Sequence, residues 1–178
     1  MNKKSIIILV IAIILVIIAI VLYIVNKPIV QEERIIEESK TEDIDNVIYD
    51  DFVVYNENKE EIKLSDANGS PVMILFWSPE NQDSVEVLKK VNEMYEKYNE
   101  TIKFYMISNT EDIDETLKNE LSIEIYYDLY QEATRKYSIK EYPSMIYITE
   151  DNKIMNSKSG FTTTDALEAN LDILSNNI

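Results

Sequence analysis

The apolar and polar positions of the chain fall into two regimes. Ile6 to Val25 is an unbroken run of 20 residues, apolar except for the Tyr23 hydroxyl. At ~1.5 Å rise per residue, a helix of that length crosses a hydrocarbon core of ~30 Å. Its many β-branched residues are poor helix formers in water, but in lipid the backbone must satisfy its own hydrogen bonds. Tyr23 stands where an interfacial aromatic belongs, and Lys3 and Lys4 place the amino end in the cytoplasm by the positive-inside rule. The expectation is a short cytoplasmic segment (1–5), a transmembrane anchor (6–25) at the cytoplasmic membrane, and everything after it on the extracytoplasmic face. A cleaved signal peptide is the rival reading. Its apolar core runs ~7–15 residues and ends at a small-x-small site, and Val21 to Pro28 offers none. Residues 26–46 are acidic and weakly patterned, which predicts a tether or a short frayed helix.

From Val47 the pattern is that of a folded domain. "VIYDDFVVYN" and "EIKLS" read as two strands around a polar turn. "PVMILFW" is apolar on both alternating sets, Val72, Ile74 and Phe76 against Met73, Leu75 and Trp77, as in a central strand covered on each side. Val85, Leu88, Val91, Tyr95 and Tyr98 recur at helical spacing. "IKFYMIS" predicts a strand, Ile113, Leu117 and Leu121 a short helix, "IEIYYD" a brief strand, and Ala133 with Tyr137 a further helix. "SMIYITEDNKIMN" predicts a hairpin turning at Glu150–Asn152. Leu167, Leu171 and Leu174 predict a last amphipathic helix capped by Thr163. This alternation predicts an α/β fold, a central mixed β-sheet flanked by helices, over residues 47–178.

Charge and composition narrow the chemistry. Residues 1–28 carry three lysines and no acid, whereas the remainder carries 14 basic and 33 acidic residues, a formal net charge of −19. Such a surface repels phosphate backbones and anionic lipid headgroups, so no nucleic-acid ligand is expected; it suits cations or a basic partner, or simply keeps the domain soluble. The chain has no cysteine and no histidine. That removes disulfide exchange, peroxide reduction by a thiolate, His-based acid–base catalysis and the usual zinc and haem ligands. No cofactor and no metal site are expected. The acidic clusters Glu42–Asp45, Asp50–Asp51 and Glu111–Glu115 lack the loop pattern of an EF-hand and read as solvated faces.

The order of these elements resembles the thioredoxin-like superfamily, and within it the membrane-anchored thiol–disulfide reductases that are similar to peroxiredoxins at their N-terminal strands. "DFVVYNENKEEIKLSDANGSPVMILFW" resembles the opening of that group, and "YDLYQEATRKYSIKEYPSMIYITEDNKI", with Gly160 before the last helix, resembles its second half. The family's Phe-Trp-Ala-x-Trp-Cys-x-x-Cys segment reads "FWSPENQDS" here, so Asn81 falls at the nucleophilic cysteine and Ser84 at the resolving one. Neither an amide nor an unassisted hydroxyl forms a mixed disulfide, and the family's redox activity is not expected to carry over. Asn81 suits a helix N-cap, with Pro79, Glu80 and Asp83 suited to the first turn. A Ser84 nucleophile is the alternative, and it lacks a base.

The resemblance further places Tyr142–Pro143 at the family's cis-proline site, where the backbone of the residue before proline pairs with an extended substrate segment. That function uses main chain and survives the loss of cysteine, and Tyr142 would add an aromatic anchor. The alternative is a proline kept for the fold alone. The resemblance implies a groove between the Ser78–Ser84 loop, the Tyr142–Pro143 bend and the turn at Gly160, with unpaired main-chain N–H and C=O groups at residue 142. The expected role is a redox-inactive, membrane-anchored domain that binds an extended protein segment as adaptor or holdase. Two alternatives stand beside it: a non-catalytic component of a thiol–disulfide oxidoreductase or cytochrome maturation pathway, and a structural subunit of an envelope complex.

Overall fold

A computed structural model describes residues 50–176. The apolar run Ile6–Val25, the acidic stretch 26–46 with its Glu42–Asp45 cluster, and the first residues of the expected opening strand lie outside the described residues. Among the described residues no helix is long and apolar enough to cross a membrane.

Seven strands form one mixed sheet: β1 (Val53–Tyr55), β2 (Glu61–Lys63), β3 (Val72–Trp77), β4 (Lys103–Ser108), β5 (Ile125–Tyr127), β6 (Ser144–Ile148) and β7 (Ile154–Ser159). Their spatial order is β2-β1-β5-β4-β3-β6-β7. Among the described residues four helices accompany them: α1 (Gln82–Tyr98), α2 (Glu115–Asn119), α3 (Glu132–Lys136) and α4 (Thr164–Asn176). β3 pairs parallel with β4 and antiparallel with β6, which is the central position its two-faced apolar pattern implies.

The two faces of β3 lead into two apolar layers. Met73, Leu75 and Trp77 join Val87, Leu88 and Val91 of α1 and Leu167, Leu171 and Leu174 of α4. Val72, Ile74 and Phe76 join Phe52, Val54, Leu64 and Ala133 on the other side. Burying each such side chain contributes ~1.5–3 kcal/mol, so both layers depend on the unbroken apolar run of β3.

Several boundaries differ from the sequence reading. The opening strands are shorter, because Leu64–Ala67 leaves β2 as a 3-10 turn, with the Asp66 carboxylate accepting from the Lys63 N–H. On α1 the buried set is Ser84, Val87, Leu88, Val91, Met94 and Tyr98, whereas Val85 and Tyr95 are only half-buried. Ile113 and Leu121 flank α2 rather than lie in it, and Asp114 caps it by accepting from Thr116 and Leu117. Thr163 caps α4 through its Oγ1, which accepts from the Ala166 N–H at 3.3 Å.

Candidate functional site at the carboxyl end of the central strand

In open α/β sheets, ligands bind beyond the carboxyl ends of the strands, where the chain order diverges to either side. Here that point is the end of β3, with β4 on one side and β6 on the other. Register brings the expected segments to this end. Phe76 stands opposite Ser144, and Ser144 stands opposite Ser159, so the loops after β3, before β6 and after β7 adjoin.

The loop after β3 is built by local chemistry. Asn81 N–H donates to Ser78 O at 3.1 Å, closing a β-turn with Pro79 second in the turn, a position its fixed φ suits. Asn81 is then the N-cap of α1, and its Oδ1 accepts from Ser84 N–H at 3.0 Å. The other half of the same amide faces away from the helix: Nδ2 donates to the Tyr142 main-chain carbonyl at 3.0 Å. The residue at the expected nucleophile position therefore ties the loop to the bend.

The bend is held independently. The Tyr142–Pro143 peptide bond is cis. Ser144 Oγ donates to Glu141 O at 2.8 Å and lies 2.8 Å from Ser159 Oγ. Gly160 N–H donates to Pro143 O at 2.8 Å, from a left-handed backbone (φ 80°) that glycine adopts without a Cβ penalty. Tyr142 N–H has no hydrogen-bond partner among the described residues.

Two expectations need correction. The Tyr142 carbonyl is not unpaired, since Asn81 reaches it. The Tyr142 ring is half-buried against the Phe52–Phe76 layer, so only part of it faces outward. Ser84 is fully buried and its hydroxyl has no hydrogen-bond partner among the described residues.

Phe161 was not singled out by the sequence and borders the same end of the sheet. It is 40% exposed and held by Lys90, whose Nζ lies 3.9 Å from the ring centroid and also donates to Thr162 O at 3.3 Å. No periodicity marks it, because it sits between a strand and a helix. Leu129 and Tyr130 are also exposed, displayed where the buried Asp128 caps α3 through Ala133 and Thr134.

A separate hollow of about 440 Å³ lies between the β1–β2 turn, α2 and β5, and is lined by Glu57, Glu115, Lys118, Glu124 and Tyr127 among others. Lys118 is neutralised there by Glu115 at 3.1 Å and Glu57 at 3.5 Å.

Comparison with known proteins matches this picture. Thiol-disulfide oxidoreductase ResA of Bacillus thuringiensis subsp. konkukian is 25% identical over 122 residues, covering 66% of this chain and 70% of that protein. ResA of Bacillus anthracis is 26% identical over 125 residues, covering 67% and 72%. Among solved structures, StoA from Bacillus subtilis superposes with a TM-score of 0.57 at 19% identity, over 70% of this chain and 98% of that one. The pneumococcal exposed lipoprotein thioredoxin Etrx1 from Streptococcus pneumoniae gives 0.59 at 18% identity, over 70% and 100%. At those identities the likeness establishes the fold, which is thioredoxin-like. The AhpC/TSA family model matches residues 47–157, ending within β7. By that match over more than half of its length, this chain belongs to the AhpC/TSA family.

Proposed function

We propose that the protein is a non-enzymatic binding domain that docks an extended protein segment at the Tyr142–Pro143 bend, as an adaptor or holdase. The carrying observation is that the bend is fully built, by Ser144, Gly160 and Asn81, and leaves the Tyr142 N–H without a partner among the described residues, in a chain with no thiol. A main-chain donor at such a position accepts an added strand whatever the neighbouring side-chain chemistry. The run Ile6–Val25 behind Lys3 and Lys4 supports a single-pass anchor in the cytoplasmic membrane, with the amino end inside and the domain on the extracytoplasmic face.

A second reading draws on the relatives, which are named thiol-disulfide oxidoreductases. In it the chain serves a thiol–disulfide or cytochrome maturation pathway without exchanging disulfides itself. A cysteine-bearing oxidoreductase that co-purifies in fixed ratio favours this reading.

The test uses the full-length protein in detergent and a reduced, carboxamidomethylated polypeptide as an unfolded, uncharged-thiol probe. The native protein binds the unfolded probe and not its folded form. Tyr142→Ala weakens binding by roughly 1–2 kcal/mol, a moderate hot-spot loss. Lys103→Ala, an exposed change at the opposite end of the sheet, has no effect. Equal binding by all three proteins, or none by the native one, overturns the proposal.

A further inference from the structure

The Asn81 amide occupies one of the two main-chain groups that strand addition would use. In an antiparallel pair, two residues facing each other across a hydrogen-bonded position exchange both bonds: each gives its N–H to the other's carbonyl. At residue 142 this exchange is already half satisfied. The carbonyl accepts from Asn81 Nδ2 at 3.0 Å, whereas the N–H has no partner among the described residues. An incoming residue must supply a carbonyl to Tyr142 N–H, and the N–H it brings meets an oxygen that already accepts one hydrogen bond from Asn81 and can offer only its second lone pair.

Proline supplies a carbonyl and carries no N–H. In an open groove, a proline opposite residue 142 would leave the Tyr142 carbonyl without that bond. Here Asn81 already satisfies that carbonyl, so proline forgoes less, and its preset φ reduces the ordering cost of an extended segment. Its ring also meets aromatic surface, the outward part of Tyr142 and, bordering the same end, Phe161.

The rim adds a charge preference. Glu80, Asp83 and Glu141 are exposed and have no cation partner among the described residues. Lys140 is the exposed cation next to the bend, and Lys90 is engaged by Glu86 and Phe161. Residues 50–176 as a whole carry 12 basic and 26 acidic residues. Cationic flanks on the segment suit this field.

We infer that the groove selects an extended, cationic protein segment with a proline opposite Tyr142, and that Asn81 is the residue that sets this preference. The inference rests on the proposed peptide-binding reading of the bend and adds the chemistry of its ligand.

The test uses full-length protein labelled with 15N-tyrosine in detergent micelles, and peptides of the form Lys-Val-Ser-Val-X-Val-Ser-Val-Lys with X as Ala, N-methyl-Ala or Pro. The Tyr142 amide resonance, assigned by its loss in Tyr142→Phe, reports docking. Native protein should bind the Pro and N-methyl-Ala peptides at least as tightly as the Ala peptide. Asn81→Ala should bind the Ala peptide roughly fivefold more tightly than the Pro peptide, the worth of one recovered main-chain hydrogen bond. Asn81→Asp, which keeps the helix cap but cannot donate to the carbonyl, should lose the native preference for the Pro peptide in the same way and guards against misfolding of the alanine variant. If the native protein already prefers the Ala peptide by that factor, or if neither variant changes the ratio, the inference fails while peptide binding stands. If no peptide moves the Tyr142 amide, the binding reading itself fails and takes the inference with it.

Discussion

Asn81 Nδ2 donates a 3.0 Å hydrogen bond to the main-chain carbonyl of Tyr142, a residue 61 positions later in the chain. Through its other end, the same amide caps α1 by accepting from Ser84 N–H at 3.0 Å. One side chain thus fixes the helix start and the bend against each other. The sequence resemblance expects a nucleophilic cysteine at this position, and the chain has none.

Removing that side chain should cost both bonds. A lost N-cap costs ~0.5–2 kcal/mol, and a tertiary hydrogen bond a further ~0.5–1.5 kcal/mol. Asn81→Ala is therefore expected to lower stability by about 1–3 kcal/mol in urea unfolding followed by Trp77, the only tryptophan and a fully buried one. Asn81→Ser keeps a capping oxygen but is too short to span to Tyr142, and should lose about half as much. Equal stability of Asn81→Ala and native protein would show that neither bond contributes.

Ser84 gives the opposite expectation. Its hydroxyl is buried with no hydrogen-bond partner among the described residues, so it carries a desolvation cost with no return. Ser84→Ala should be neutral or more stable, by up to ~1 kcal/mol. A clear loss of stability in the same urea experiment would reveal a partner for that hydroxyl and reopen a chemical role for it.

The two long helices are joined at a titrating pair. Tyr98 OH donates to Asp172 Oδ1 at 2.6 Å, and this bond, with Lys97 beside it, holds the Asp172 carboxyl below its ordinary value. A carboxyl depressed in the folded state contributes stability that is complete above its unfolded pKa of ~3.9 and is lost as pH falls through the lower folded value. Tyr98→Phe should be less stable than native protein near neutrality, with the gap closing on acidification below about pH 4. Asp172 is solvent-facing, so the gap will be small. A gap that stays constant to the lowest pH at which the protein folds would contradict the assignment.

Returning sulfur to the site tests the site's remaining chemistry. Asn81→Cys with Ser84→Cys places two thiols at the start of a 17-residue helix, whose dipole favours a thiolate. The neighbouring Glu80 and Asp83 oppose it. The double variant should form a disulfide and reduce insulin slowly, whereas the native protein should match the buffer blank. Insulin turnover by the native protein would contradict the thiol-free account.

Much of the fold is legible along the chain because its strongest signals are collective. The six apolar residues of β3 specify a central strand on their own, and Leu167, Leu171 and Leu174 specify the buried stripe of α4. The boundary of β2 was not legible, because Leu64 is apolar in a strand or in the 3-10 turn it actually starts. On α1, Val87 and Met94 share the core with residues the 3.6-residue period did select, since a helix beside a sheet buries a broad face. At the site, register explains why the three loops adjoin. The Asn81–Tyr142 bond was not legible, because an N-cap asparagine looks the same in sequence whether or not its second amide end has a tertiary partner.

The most direct measurement is photocrosslinking in intact cells from a photoreactive residue at position 142, with position 103 as the control at the far end of the sheet. The account predicts that position 142 captures a discrete protein partner through an extended segment, that the adduct survives thiol reductants before and after irradiation, and that position 103 captures none. Absence of any adduct from position 142, or the same adducts from both positions, would contradict the claim that this end of the sheet is a thiol-independent binding site.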